Sequence, residues 1–286
     1  MAQAFFGGIH PNDQKDLTNK KPIETLPPPA RVVIPMSLHI GAPCTPCVSV
    51  GDEVMVGQKV GDAPAFVSAP VHASISGRVS AVEPRIHFSG VPVMSVVIEN
   101  DFNETLYWGL SPASDPDSLT PEQLSALIRE AGVVGMGGAT FPTHVKISSG
   151  LGKVDTVIVN ASECEPCITS DHRVLLEHPD EVLGGVKLLA RIFGVDRVHI
   201  AIEQNKANAA GMLKLKIEEE KAPAVVDVLP TRYPQGAEKQ LCQSVTGRQV
   251  PPGALPAAIG CAVFNVVTTM AIYNAVYHGK PVTHRV

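Results

Sequence analysis

VDTVIVNASECEPCITSD, residues 154–171, is the stretch on which the fold turns. It opens as a short apolar, β-branched run and breaks at Asn160 into small and acidic residues. A run that is apolar throughout, without alternation, fits a strand covered on both faces, as in a parallel sheet. Two similar runs follow, RVHIAIE (197–203) and AVVDVLP (224–230). Between them HPDEVLGGVKLLARIFG and NKANAAGMLKLKIEEE carry helical spacing. Strand, helix, strand at these lengths implies right-handed crossovers and an α/β sheet. QGAEKQLCQSVTG and NVVTTMAIYNAVYHG supply two further helices.

Upstream the pattern changes. Residues 31–100 hold short β-branched runs with turn glycines Gly51, Gly57, Gly61, Gly77 and Gly90 between them. Strands at that spacing predict a small all-β barrel or sandwich. Residues 1–30, ending in Pro27, Pro28 and Pro29, read as an extended arm laid over a domain. After Asp101, Thr120 as N-cap, Pro121 at the first helical position, and Leu124, Leu127 and Ile128 predict a helix. The expected organisation is an arm over 1–30, a β module over 31–100 and an α/β domain over 101–286.

Composition excludes several classes. With 23 basic and 28 acidic side chains in 286 residues, the net charge is −5 and no basic cluster occurs. Nucleic acid is therefore not an expected partner, since phosphate neutralisation needs clustered Lys and Arg. Six cysteines are too few for a disulfide scaffold, and MAQAFFGGIHPNDQ has neither the basic start nor the apolar core of a signal peptide. A cytoplasmic location is expected. Gln249–Tyr277 carries no charge, but Pro251, Pro252 and Pro256 open it, and its longest apolar piece is Ala257–Phe264. That piece falls far short of the ~20 residues of a membrane span. A loop followed by a buried helix is expected there.

In an open α/β sheet, ligands sit beyond the carboxyl ends of the strands. Two segments are candidates. GVVGMGGATFPTHVK (132–146) brings Gly135, Gly137 and Gly138 together, so backbone N–H groups can approach a phosphate or a flat ring, with Lys146 adding charge. Its spacing is not GxGxxG, and alone it also reads as a glycine-rich turn before a helix. NASECEPCITSD (160–171) puts Glu163 and Glu165 at a strand end, with Asp171 further on; the alternative is a solvated acidic loop. Cys44 with Cys47 and Cys164 with Cys167 have CxxC spacing, but a zinc or cluster site needs four placed ligands, so no metal is expected. Taken alone, these residues define a ligand-binding α/β domain with a β module attached.

Several segments, in order, resemble a known family. GGIHPNDQKDLTNKKPIE, HIGAPC, GDEVMVGQKVGD, SAPVHASISGRVSAVEPR, GMGGATFPTHVK, NASECEPCITSD, RYPQGAEKQL and GRQVPPG resemble RnfC, the NADH-handling peripheral subunit of Rnf ferredoxin:NAD⁺ oxidoreductases. The central segments are also similar to the flavin subunit of respiratory complex I. The resemblance implies a Rossmann-like FMN- and NADH-binding domain preceded by a biotinyl/lipoyl-like barrel-sandwich module. In the hairpin FVSAPVHAS, where such modules carry their modified lysine, there is none. A docking or scaffolding role is expected for it.

Carried over by position, the resemblance puts Gly135, Gly137, Gly138, Phe141 and Lys146 on the loop that meets flavin and dinucleotide. It puts Asn160, Ser162, Glu163 and Cys164 on the strand-end flavin contacts, and Glu165 on the carboxylate facing the nicotinamide, the catalytic position. Tyr233, Gly236 and Glu238 fall on a tyrosine–glycine–glutamate segment, and Asn265 with Thr268 on an asparagine–threonine helix start. Met136, Ser162 and Ala237 stand where complex I has arginine, aspartate and glutamate, so charged contacts are missing. The implied partners are NADH and the other subunits of a membrane complex, without a direct membrane span. The implied location is the inner face of a bacterial cell membrane. RnfC proteins continue into a region with [4Fe-4S] clusters, and HGKPVTHRV stands where that continuation would start, so the chain reads as a fragment. Two other readings remain open: a corrinoid- or proline-reductase electron-transfer protein of the same architecture, and a flavin-free docking adaptor.

Overall fold

The computed structural model describes residues 5–107, 109 and 113–285. The chain divides into two compact units, one made of Thr25–Ser148 with Asn274–Val286, the other of Met1–Glu24 with Ser149–Tyr273. The divisions fall inside two helices, Thr143–Gly150 and Val266–His278.

The first unit is built on β1 (Arg31–Pro35), β2 (Thr45–Pro46), β3 (Glu53–Val54), β4 (Lys59–Asp62), β5 (Val71–His72), β6 (Gly77–Ile86) and β7 (Pro92–Asn100). They form two sheets, in the orders β1-β7-β6-β3 and β2-β4-β5, with antiparallel pairing throughout. Ile34, Met36, Val54, Val60, Val71, Val79, Val96 and Ile98 make one core. This is the all-β module read from the short β-branched runs and their turn glycines.

Two helices follow, α1 (Pro121–Glu130) and α2 (Thr143–Gly150). α1 starts as its sequence predicts. Thr120 Oγ1 accepts from Gln123 N at 3.3 Å, and Gln123 Oε1 accepts from Thr120 N at 2.8 Å, a reciprocal cap with Pro121 at the first position. Its apolar stripe buries Leu124 and Ile128 completely. Lys59 bridges Asp62 and Glu130 at 2.9 and 2.6 Å, and Arg129 reaches Asp62 at 3.0 Å. These contacts make α1 part of the compact unit that holds the β module. The C-terminal segment returns to the same unit, with Val282 N donating to Ala131 O at 2.8 Å.

The second unit contains β8 (Thr156–Ala161), α3 (Ser170–Glu177), α4 (Pro179–Phe193), β9 (Val198–Glu203), α5 (Ala207–Glu220), β10 (Ala224–Leu229), α6 (Glu238–Thr246), β11 (Cys261–Asn265) and α7 (Val266–His278). Its sheet is wholly parallel, in the order β10-β9-β8-β11. The three expected strands are present at the expected places. Within Gln249–Tyr277, expected as a loop followed by a buried helix, α7 is that helix, while Ala257–Phe264 before it holds most of a 3-10 turn (Pro256–Ile259) and the unexpected strand β11. Pairing with β8, residue for residue from Cys261↔Thr156 to Asn265↔Asn160, makes that apolar run a strand. α7 starts only after it.

Gly184 and Gly185 explain how α7 lies against α4. A Cβ at Gly185 would come within 2.0 Å of Thr269 O, and one at Gly184 within 2.2 Å of the Tyr273 ring. The N-terminal segment through Glu24 belongs to this unit. Ile9 and Tyr233 exchange backbone hydrogen bonds at 2.8 Å, and Ile23 N donates to Glu177 Oε1 at 3.1 Å. Among the described residues no helix is long and apolar enough to cross a membrane.

Candidate functional site

The order β10-β9-β8-β11 contains a reversal. The chain steps outward from β8 to β9 to β10, then returns to place β11 on the other side of β8. Beside such a reversal the connections leave in opposite directions, and a crevice opens at the carboxyl ends. Here those ends are Asn160–Ala161 of β8 and Asn265 of β11, which face each other in register.

The side chains around that point interlock. Asn160 accepts from Ser162 N at 3.1 Å and donates to Gly236 O at 2.9 Å, while Gly236 N donates to Cys164 Sγ at 3.2 Å. The YPQG turn is thus tied to the end of β8. Asn265 Oδ1 accepts from Val267 N and Thr268 N at 2.8 and 3.3 Å, capping α7, and its Nδ2 donates to Asp171 Oδ2 at 2.8 Å. Thr268 is buried behind that cap. Glu163 takes up the left-handed region, φ 49°, rare for a residue with a Cβ. The turn sends its side chain inward, where Oε1 accepts from Asp171 N at 2.7 Å. Glu165, two residues on, is exposed, and its carbonyl accepts from Lys15 Nζ at 3.0 Å.

Beneath this layer lies a charged cluster that the sequence reading did not assign. Lys206 and Glu203 have fully buried side chains 3.4 Å apart. Lys206 Nζ also donates to Ser162 O at 2.6 Å and Asn205 Oδ1 at 3.1 Å, and Glu203 Oε1 accepts from Arg232 N at 3.1 Å. Lys15, buried, donates to Ile168 O at 2.6 Å. The strand-end rule applied to RVHIAIEQNK would have found Glu203 and Lys206, because they leave β9 as Ser162 and Glu163 leave β8. Removing only one partner of this buried pair is expected to cost about 3–5 kcal/mol in chemical denaturation, against a much smaller loss for the neutral Glu203→Gln/Lys206→Met pair.

Burial sets the protonation of these groups. It pushes the Asp171 carboxyl up to about 8, helped by the neighbouring Glu163 and opposed by Asn265 and Lys206. Burial also raises Glu163 and Glu203, against the pull of the Lys206 ammonium, and raises the Cys164 thiol. Lys206 itself is lowered by burial while Glu203 and Glu163 hold it up. Near neutral pH Asp171 is therefore largely an uncharged acid.

The structure gathers Asn160, Ser162, Glu163, Cys164, Gly236, Asn265 and Thr268 at this one sheet end. Tyr233 begins the adjoining turn and is partly exposed; Glu238 starts α6 and is half-buried. The glycine-rich segment belongs to the other unit. There Gly135 N donates to Phe141 O at 2.8 Å, and Val134 pairs with Pro142, closing a loop in front of α2. Gly137 and Gly138 lie exposed at its tip, Gly138 at φ +119° with open space where a Cβ would be. Phe141 and Lys146 are half-buried. Among the described residues no group of three or more His, Cys, Asp or Glu is placed to hold a metal ion. Of the CxxC pairs, Cys44 and Cys164 are buried and Cys47 and Cys167 exposed; Cys242 and Cys261, far apart in sequence, share one core.

A parallel sheet with a polar cluster at its switch point, in a chain that also carries a two-sheet β module, defines the class: a cofactor-type α/β domain joined to a barrel-sandwich hybrid. Residues 128–274 match the model of the Nuo51 FMN-binding domain, and residues 3–103 that of the RnfC barrel sandwich hybrid domain. The chain belongs to the Nuo51 FMN-binding family, in its RnfC-type form.

The chain is 46% identical to the C subunit of the Na(+)-translocating ferredoxin:NAD(+) oxidoreductase complex of Acetobacterium woodii, covering 98% of this chain and 63% of that protein. Identity is 44% to the C subunit of the proton-translocating ferredoxin:NAD(+) oxidoreductase complex of Clostridium ljungdahlii, over 100% and 62%. It is 40% to the C subunit of the ion-translocating oxidoreductase complex of Vibrio cholerae, over 99% and 36%. The chain thus spans less than two thirds of the length of these curated relatives. Among solved structures, the NAD+-reducing [NiFe]-hydrogenase in its H2-reduced state is similar with a TM-score of 0.51 and 25% identity, over 58% of this chain and 33% of that one.

Proposed function

We propose that this chain is the FMN- and NADH-binding part of a peripheral subunit in an ion-translocating ferredoxin:NAD⁺ oxidoreductase complex. The observation that carries the reading is a pair of buried oxygens at the switch point, Ser162 Oγ and Glu163 Oε2, that lack hydrogen-bond partners among the described residues. A buried polar atom left unpaired calls for a partner such as a water or a bound group. An isoalloxazine edge, with alternating donors and acceptors, has the groups to pair with a hydroxyl and a carboxylate.

Bound FMN supplies two-electron exchange with a nicotinamide and one-electron exchange with metal centres. The residues have the remaining tasks. Asn160 and Asn265 are tied into the backbone and hold the crevice open to a flat group. Ser162 and Glu163 present acceptors, and Glu165, exposed beside them, is positioned to meet the nicotinamide. Gly135, Gly137 and Gly138 keep side-chain bulk off their loop, and Lys146 offers positive charge to a phosphate. Electrons are proposed to pass on to iron–sulfur carriers, and the complex is proposed to lie on the inner face of the cell membrane.

Mixing the purified chain with FMN is expected to give a bound flavin band near about 450 nm that bleaches on addition of NADH. Glu165→Gln is expected to retain FMN while changing the NADH concentration needed for half-bleaching by about tenfold. If no flavin is retained, the reading fails; if Glu165→Gln loses FMN yet keeps NADH binding, the assignment of that carboxylate fails.

A further inference from the structure

Lys206 has a geometry unusual for a buried lysine. Its ammonium meets three acceptors within 3.4 Å, the carbonyl of Ser162, the amide oxygen of Asn205 and the carboxylate of Glu203. Three acceptors match the three hydrogens of an ammonium and leave no place for the lone pair of a neutral amine. The residue is therefore a cation with zero side-chain exposure. Its shortest bond goes to the peptide that links Ser162 to the left-handed residue Glu163.

Glu163 is bordered by several elements, with Oε2 left without a hydrogen-bond partner among the described residues. α3 supplies Ser170 Oγ and the N–H of Asp171 to Oε1, together with the Asp171 carboxyl. β11 supplies Asn265, which binds Asp171. The N-terminal segment supplies Lys15, and the turn after β9 supplies Lys206 with Glu203. Glu165 follows in the same loop. Lys15 gives its hydrogen bonds to the carbonyls of Glu165 and Ile168, so the cation bonded into the Ser162–Glu163 turn itself is Lys206.

We infer that Lys206 is the positioning residue of this site: it pins the carbonyl of Ser162, holds the Glu163 turn, and supplies the counter-charge of the Glu163 carboxylate. This rests on the flavin reading above, which gives the Ser162 and Glu163 oxygens their ligand. Lys206 touches no ligand itself and acts through those two residues. Burial favours the protonated form of Glu163, and the ammonium opposes it. Without Lys206, Glu163 would keep a proton in the folded state that it releases on unfolding.

The test uses Glu203→Gln/Lys206→Met, which removes the ion pair as a unit and leaves no unpaired charge from it. A carboxyl that stays protonated only when folded makes stability fall as pH rises. The apo variant should therefore lose melting temperature more steeply than the wild type as pH rises above the ordinary carboxylate range, by roughly 2–4 °C per pH unit, the effect of one proton. Adding Glu163→Gln should abolish the extra slope. The FMN dissociation constant of the double variant should rise about tenfold. An unchanged pH slope overturns the inference, because a purely structural lysine would leave it unmoved. An extra slope with FMN affinity within about twofold of wild type overturns the positioning role. A wild-type chain that takes up no FMN brings down the flavin reading by a separate measurement.

Discussion

Gly77→Ala is expected to lower stability by about 3 kcal/mol or more, one of the largest effects of a single methyl group in this chain. Gly77 opens β6 at φ +144°, and a Cβ there would lie 1.9 Å from Glu99 O and 3.0 Å from Asp101 N. The strand cannot retreat, because Gly77 is paired on one side with Asn100 of β7 and on the other with Val54 of β3. Backbone strain and overlap with a backbone oxygen therefore add. At this chain length a loss of that size lowers the melting temperature by about 6–12 °C. Gly90→Ala is the control. Its φ of +83° is also strained, but nothing lies within 4 Å of the added carbon, so about 1 kcal/mol is expected. Equal thermal melts for the two variants would contradict the pairing of β6 with β3 and β7.

The second large effect concerns pH. The carboxyl of Asp171, raised to about 8 by burial and by Glu163, sits far above its value in an unfolded chain. A group whose folded value is raised contributes stability that is complete below the unfolded value and is lost as pH rises through the folded one. Between about pH 4 and pH 8 the folded state binds the extra proton, and stability declines by up to about 1.4 kcal/mol per pH unit. Lys206 and Asn265 limit the effect by favouring the charged form, and Glu165 adds to it. Asp171→Asn copies the uncharged acid, and its amide oxygen can still accept from Asn265. The variant is expected to melt with a flatter pH profile and to exceed the parent by at least about 2 kcal/mol at pH 8. Thermal unfolding at a series of pH values measures this. A variant less stable than the parent at pH 8 would show that Asp171 is ionised in the fold.

The elements that the sequence made legible are those whose signals are local. Thr120, Pro121 and Gln123 define the start of α1, because a helix cap involves residues three apart. VDTVIVN, RVHIAIE and AVVDVLP announce β8, β9 and β10, because compact, mostly apolar, β-branched runs between helical stretches fit the strands of a parallel sheet. β11 was hidden all the same. An apolar run of that length is equally compatible with a helix until a partner strand is known, and its partner β8 lies about a hundred residues away. The carried-over residues Asn160, Ser162, Glu163 and Asn265 were legible only through whole ordered segments, since no short spacing among them points to a cofactor.

The strand-end rule marks Glu203 and Lys206 as candidates, but nothing local in the chain shows that their side chains are buried. In the chain, EQNK after RVHIAIE looks like an ordinary solvated turn, and Lys15 looks like one charge in an exposed arm. Whether a charged side chain meets water or a buried partner depends on what packs over it, and that is non-local. Glu203 and Lys206 leave β9, Ser162 and Glu163 leave β8, Asp171 heads α3, and Lys15 arrives from the N-terminal segment. A β module and an α/β domain with a parallel sheet could be read from the chain alone, because periodicity, caps and strand polarity are written in neighbouring residues. The fold is what brings two lysines and three carboxyl groups together at the carboxyl end of β8 and holds the Asp171 carboxyl well above its ordinary range. That outcome follows from desolvation, which no residue experiences until distant parts of the chain have met.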